Sequence, residues 1–382
     1  MASVLIAPDK FKGSLGADEV ARALERGLLE AAPDAHVVRL PLADGGEGSV
    51  AAACAGRFRR EEITVTGPTG QPVAASVAVR GRTVLIEAAA VCGLGVLPGG
   101  RKAPLTATSH GVGQAIGYAV AGGAETIVLA LGGVATTDAG AGLLESLGAL
   151  LAREDGTRVG PGGGGLADLR TADLAGARAA LKGVELVLAT DVDNPLLGPA
   201  GAARVYGPQK GASPQDVRKL DDALAGFVRR LAADVPDAAR IAESPGAGAA
   251  GGLGYAGMLL GGRVRSGADY FLTLLGADEL LAASDFVVTG EGSLDEQSLS
   301  GKLPVALARR ARTHGTQAHA VAGRCALPAD RTAAHFRSVQ ALTDLTDQDC
   351  AHDSALSARL LAQCGRALAD RWIGRGRTGT GR

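Results

Sequence analysis

Apolar positions recur along this chain in two rhythms. VLIAP from Val4 is a short apolar run, GADEVARALERGLLEAAP from Gly16 spaces its apolar residues as a helix does, and HVVRLPL from His36 is a second run, which together predict a β-α-β opening. From about Glu62 the rhythm shortens. EITVTGPTG, PVAASVAV and RTVLIEAA read as strands joined by Gly/Pro turns, the start of an antiparallel insertion. Alternation then resumes: a helix over Ser109 to Ala121, strand TIVLAL, helix GAGLLESLGALL, strand VELVLATDV and a long polar helix over Pro214 to Ala232, with PGGGG at 161–165 as a loop. Beyond Leu275 come helix ADELLAAS, strand DFVVTGEG, helix LPVALARRARTHG, strands QAHAVAG and FRSVQAL, and a closing helix through Trp372.

Strand and helix alternate at both ends of the chain, which predicts an α/β fold of two domains. One is a parallel-sheet domain assembled from 1–66 and 277–374, and the other is a mixed α/β domain inserted over 67–276. Residues 375–382 read as a flexible tail without an apolar residue to pack. The composition agrees: 57 glycines, abundant aliphatics and only 3% aromatics suit helices packed closely on a parallel sheet.

A net charge of −1 with both signs interspersed offers no field for nucleic acid or an anionic membrane. The five cysteines are scattered without a C-x-x-C, which speaks against a disulfide framework or a zinc site. VLIAP is too short for a signal-peptide core. The expectation is a cytoplasmic protein with no membrane partner. Only seven of the 39 basic residues are lysines, and Lys10, Lys12, Lys210 and Lys302 fall in Gly- or Pro-rich loops, where a compact ammonium meets phosphate or carboxylate as a point charge.

Candidate chemistry gathers where strands end. Asp191 and Asp193 follow VELVLAT; residues i and i+2 of a strand share a side, so the carboxylates converge and call for a shared cation. Mg²⁺ takes one or two carboxylates and leaves room for phosphate oxygens, whereas an isolated DVDNP reads better as a pair of turns. Two more acidic loops favour the first reading. ADGGEG carries Asp44, Gly45, Gly46 and Glu47, and GEGSLDEQSLSGK carries Gly290, Glu291, Gly292 and Asp295 beyond a strand end, with Lys302 just inside the next helix. LALGGVATTDAGAG places Gly132, Gly133, Thr136, Thr137 and Asp138 at a helix start near Ala139, where free N–H groups bind phosphate; TATSHGVG from Thr106 offers the same. Acidic loops, glycine-rich anion sites and retained lysines point to phosphoryl transfer. There is no Walker-type loop, and the G-x-G-x-x-G at Gly246–Gly251 follows IAESP rather than a strand. An NAD-dependent oxidoreductase or a non-catalytic ligand-binding protein stand as the other readings.

APDKFKGSLGADEVA, LADGGEGS, LGGVATTDAGAG, DVDNPLLGPAGAARVYGPQKGA, GAGAAGGLG and TGEGSLDEQSLSGKLP, in this order over nearly the whole chain, resemble the bacterial glycerate kinase family. The resemblance implies ATP-dependent phosphorylation of D-glycerate to 2-phosphoglycerate with Mg²⁺, by a monomer or homodimer. It also implies a flavodoxin/Rossmann-like domain and a restriction-endonuclease-like domain, with the substrates meeting between them. Carried onto this chain, Asp191 and Asp193 hold Mg²⁺ or orient the nucleophile, and one of Asp191, Glu291 and Asp295 takes the hydroxyl proton. Lys210, Lys302 and the glycine loops lie by the phosphates; Lys10, Lys12 and Ser14 meet the glycerate carboxylate or help neutralise phosphate. One departure is visible: the family's GGSATNDGG becomes Gly132–Gly140 with Val134 and Thr137 in place of Ser and Asn.

Overall fold

The computed structural model describes residues 1–299 and 301–373; the expected tail lies outside them. In chain order the strands are β1 (Ser3–Ile6), β2 (His36–Arg39), β3 (Arg59–Thr66), β4 (Pro72–Arg80), β5 (Thr83–Glu87), β6 (Thr126–Ala130) and β7 (Leu150–Ala152). They continue with β8 (Thr171–Asp173), β9 (Glu185–Ala189), β10 (Arg263–Arg265), β11 (Phe286–Leu294), β12 (Gln317–Cys325) and β13 (Ser338–Ala341). The chain forms two units: Met1–Asp44, Ala51–Arg57 and Gly267–Arg382 make the first, Gly45–Val50 and Phe58–Ser266 the second.

The first unit holds a five-stranded, all-parallel sheet in the order β13-β12-β11-β1-β2. Renumbered within the unit this is 2-1-3-4-5, a doubly wound order whose switch point falls between β1 and β11. Both faces are covered, as a parallel sheet requires. Val4 and Ile6 pack with Val20, Leu24, Leu360 and Leu361 of the helices Ala17–Ala31 and Ser354–Leu368, while Leu5 and Ala7 pack with Leu272, Leu281, Val305 and Leu307 on the other face. The helices from the two chain ends meet backbone to backbone. A Cβ on Gly27 would stand 1.7 Å from the carbonyl oxygen of Ala362, and one on Gly365 would stand 2.2 Å from that of Leu24.

The second unit holds a six-stranded sheet, β10-β9-β6-β5-β4-β3, in which β5, β6, β9 and β10 are parallel and β4 is antiparallel to both neighbours. A separate antiparallel pair, β7 and β8, lies in the same unit. The expected boundaries at 66/67 and 276/277 differ from these units. β3 pairs with β4 along its whole length, and the helix Gly267–Leu274 places Ala268 and Leu272 in the core that holds Leu5 and Val287.

Four local expectations are corrected. β11 runs on to Leu294, so Gly290–Leu294 belong to a strand rather than to the loop beyond it. Lys302 is the N-cap residue of the helix Leu303–Thr313 and not inside it. The helix in GAGLLESLGALL stops at Ser146, because Gly148 takes a φ of +101° and the residues after it turn into β7. PGGGG contains a single helical turn, Gly162–Gly165; a Cβ on Gly163 would stand 2.1 Å from the carbonyl oxygen of Thr137.

Candidate functional site

In the first unit a cavity of about 660 Å³ opens at the carboxyl ends of β1, β11 and β12. β1 ends at Ile6 and the chain leaves through Pro8 into a tight turn, Phe11–Leu15, closed by N–H···O bonds between Phe11 and Leu15 in both directions at 2.8 and 3.1 Å. That turn presents Lys12 and Ser14 to the cavity. β11 passes close beneath it because Gly292 has no side chain: a Cβ there would lie 3.1 Å from the Lys12 nitrogen.

Asp9 and Glu291 stand side by side at the floor. The register Ile6↔Val288, carried on by three residues, sets Asp9 against Glu291, and the Asp9 N–H donates to the Gly290 carbonyl at 2.8 Å. Asp9 continues the alternation of Leu5 and Ala7, and Glu291 that of Val287 and Thr289, so both side chains belong to the sheet face covered by Leu303–Thr313. Burial pushes the Asp9 carboxyl up to about 7; Asp44 and Glu291 push the same way, against the Lys10 N–H and ammonium. Glu291 is also raised to about 7, first by burial and then by Asp295 and Asp44, while the Ser298 hydroxyl and Lys302 pull it down. Its Oε1 is buried with no hydrogen-bond partner.

Of the expected residues, Lys10, Lys12, Ser14, Asp44, Glu291, Gly292, Asp295 and Lys302 all line this cavity. Gly290 acts in packing: a Cβ on it would lie 2.0 Å from the Val321 carbonyl oxygen. Asp295 turns its Oδ1 to the N–H groups of Gln297 and Ser298 at 2.9 and 3.3 Å, starting the one-turn helix Glu296–Leu299. That carboxylate oxygen is engaged as a helix cap. Lys302 Nζ reaches Gln297 Oε1 at 3.3 Å. Asp9 and Arg324 are missing from the expected set. Arg324 lies opposite Ser293 at the end of β12, and the signal for both was their place just past an apolar run.

The second unit gathers the rest. Gly45, at φ +90°, fits against the Ala189 carbonyl, where a Cβ would be 2.8 Å away, and a Cβ on Gly132 would stand 2.8 Å from Gly46 Cα. Glu47 is exposed and Gly133 takes a φ of +65°. Asp191 and Asp193 are exposed in the loop after β9, and Asp191 Oδ1 accepts from Ser266 Oγ at 2.9 Å. Glu87, at the end of β5, was also passed over; its Oε2 accepts from the Val50 N–H at 3.1 Å. Among the described residues no group of three or more His, Cys, Asp or Glu could hold a metal ion by itself.

Four expected phosphate ligands turn inward instead. Asp138 is fully buried and accepts from Ser109 N, Ser109 Oγ, Gly140 N and Gly142 N at 2.9–3.3 Å. The anion at the starts of the helices His110–Ala121 and Ala141–Ser146 is therefore the chain's own carboxylate. Thr136 is fully buried and donates its hydroxyl to the Ala107 carbonyl at 2.8 Å. Lys210 is only 3% exposed and donates to the Thr136 carbonyl at 2.5 Å. Burial lowers it to about 8, offset by Cys92 and Asp138. It does not share a surface with the exposed Asp191 and Asp193. Thr137 is buried as well, with its hydroxyl unpartnered. The G-x-G-x-x-G stretch is packing: Cβ atoms on Gly248 and Gly251 would stand 2.2 and 2.1 Å from the carbonyl oxygens of Pro195 and Thr136. That removes the ground for a dinucleotide site there.

A parallel α/β unit with carboxyls and lysines converging at its switch point defines a small-molecule enzyme of the doubly wound class. A family model described as the glycerate kinase family matches residues 4–372. The chain is 42% identical over 328 residues to a glycerate 2-kinase of Escherichia coli (strain K12), covering 84% of each. It is 40% identical over 346 residues to a glycerate kinase of Bacillus subtilis (strain 168), covering 89% of each. A crystal structure of the Salmonella typhimurium LT2 protein assigned as glycerate kinase 2 superimposes with a TM-score of 0.84 at 35% identity, covering 99% of this chain and 100% of that one. The chain belongs to the glycerate kinase family, an enzyme family whose kinase activity implies ATP and glycerate as substrates. No helix among the described residues is long and apolar enough to cross a membrane.

Proposed function

We propose that this enzyme transfers the γ-phosphoryl group of ATP to the 2-hydroxyl of D-glycerate, in the cytoplasm. The observation that carries the reading is the cavity of the first unit, where half-buried carboxyls and the ammonium groups of Lys10, Lys12 and Lys302 share one space at the switch point. Phosphoryl transfer needs that pairing, cations for the phosphate and carboxylate oxygens and a carboxylate for the hydroxyl proton. Lys10, Lys12, Ser14 and Arg324 are placed to meet the glycerate carboxylate, and Lys302 to meet phosphate. The name of the Escherichia coli relative favours the 2-position. The strand order 2-1-3-4-5 supports a flavodoxin-like label for the first unit; likening the second to restriction endonucleases rests on the family resemblance.

Asp191 and Asp193 fit Mg²⁺ in donor chemistry, two exposed carboxylates on one loop. Bound there, the ion would supply neutralising charge for phosphate oxygens. Incubation with ATP, Mg²⁺ and D-glycerate followed by phosphorus NMR tests the reading. A 2-phosphoglycerate resonance is expected; 3-phosphoglycerate overturns the regiochemistry, and no phosphoglycerate overturns the activity. Asp191→Asn is expected to raise the Mg²⁺ concentration required for half-maximal turnover, and an unchanged requirement removes Asp191 from the metal site.

A further inference from the structure

The two carboxyls at the switch point lie beside each other: Glu291 belongs to β11, and Asp9 stands three residues past the end of β1, where its N–H still donates to the Gly290 carbonyl at 2.8 Å. We infer that Asp9 and Glu291 work as one acid–base pair holding a single proton, whose ionised member takes the proton of the attacking hydroxyl. The inference rests on reading this cavity as the phosphotransfer site. Two carboxylates brought together out of water resist double ionisation, and Lys10 beside Asp9 and Lys302 beside Glu291 offset this only in part. Glu291 Oε1, buried without a partner, is the atom most exposed to that conflict, and Asp9 is satisfied on one oxygen by the Lys10 N–H at 2.7 Å.

Charges face the pair from every side of the cavity. Asp44 comes from the loop after β2, Lys10 and Lys12 from the turn after β1, Asp295 and Lys302 from the stretch after β11, Arg324 from β12 and Asp349 from the segment after β13. The two signs nearly balance, so no net field forces both carboxyls to ionise. Burial leaves each close to neutrality in its affinity for protons, with both near 7. A pair of this kind is half-protonated at the pH where a kinase works.

The transfer balances as follows. The substrate hydroxyl oxygen forms a bond to the γ-phosphorus as the bond from that phosphorus to the bridging oxygen breaks, releasing ADP. The hydroxyl proton passes to the ionised carboxylate, which leaves the pair doubly protonated. One proton returns to solvent as product departs. The protonated member donates its O–H toward its neighbour or the substrate and holds the base in place.

The test compares the full-length enzyme with its Asp9→Asn and Glu291→Gln variants in turnover with D-glycerate from acidic to alkaline pH. The wild-type kcat should fall on the acid side with a midpoint near 7. In Asp9→Asn that midpoint should stay within about half a pH unit, because below it the pair is doubly protonated and carries no like charge to remove. The last carboxyl proton, followed by infrared pH titration, should instead leave about one pH unit or more below the wild-type one, and Glu291→Gln should lose about 10²-fold of kcat at every pH. A last carboxyl proton that leaves Asp9→Asn at the same pH as the wild type overturns the pairing. A second readout is independent of activity: infrared absorption of protonated carboxyl at neutral pH should be present in the wild type and reduced in both variants. Equal absorption in all three proteins overturns the shared proton even if a variant is inactive. A wild type without phosphoglycerate formation but with that infrared difference overturns the substrate reading and leaves the pair standing.

Discussion

The Lys210 ammonium donates to the main-chain carbonyl of Thr136 across 74 residues of sequence, with the lysine nearly sealed from solvent. The bond ties the PQKGA segment to the GGVATTD loop and leaves little room for a surface role. Lys210→Met keeps the aliphatic stem but strands a buried carbonyl, and should cost about 1–3 kcal/mol of unfolding free energy, read by urea denaturation. The pH dependence has a definite sign. Between about 8 and the ordinary lysine value of 10.5 the folded chain releases this proton first, so the unfolded chain binds more protons and stability from this group rises with pH. The gap between wild type and Lys210→Met should widen over that window.

Asp138→Asn should be at least as damaging. The carboxylate accepts four hydrogen bonds, and an amide in its place would turn donors toward donors. A loss of about 1.5–3 kcal/mol is expected from charged hydrogen bonds alone. A melting temperature equal to wild type would mean that the site relaxes around the amide.

Gly251→Ala and Gly81→Ala separate close packing from backbone strain. Both glycines have positive φ, +67° and +59°, but a Cβ at 251 meets Thr136 O at 2.1 Å and Lys210 Nζ at 2.9 Å, while at 81 nothing lies within 4 Å. Gly81→Ala should cost about 1 kcal/mol. Gly251→Ala should cost several times more in the same thermal unfolding experiment.

Asp295 and Lys302 divide structure from chemistry in the acidic loop. Asp295→Ala removes the cap on Glu296–Leu299 and should cost about 1 kcal/mol with kcat within about tenfold; a 10²-fold loss of kcat would make Asp295 a proton acceptor again. Lys302→Met removes a cation that lowers Glu291. Its acid-side midpoint in kcat should therefore move up in pH, whereas that of Asp9→Asn stays.

The order of elements was legible where local pattern decides. Pro214–Ala232 reads directly, because Ser213 and Asp216 build a capping box around a proline at the first turn. The cavity loops were legible because parallel strands end in their ligands. Asp9 was not, since DK at the end of VLIAP looks like two exposed charges until β11 is laid beside β1. Lys210 misled for the reverse reason: a lysine among Gly and Pro looks solvated, and only the missing side chain of Gly251 reveals the space it fills. Asp138 looks like an offer to phosphate, yet its partners Gly140 and Gly142 lie only two and four residues on and close the loop on itself. Such outcomes depend on contacts that sequence spacing does not encode.

The meeting of Gly27 with Ala362 and of Gly365 with Leu24 bears on how the chain is made. β1 has its inner neighbour in β11, and Ser3 is tied to Asp285 across 282 residues. During synthesis at about 5–20 residues per second, the first strand and helix wait roughly 15–55 s for that partner, and longer for the closing helix. The stretch 58–266 carries the six-stranded sheet entire and needs no such wait. The ribosome thus releases the middle of this protein ready to fold while its beginning is still waiting for its end.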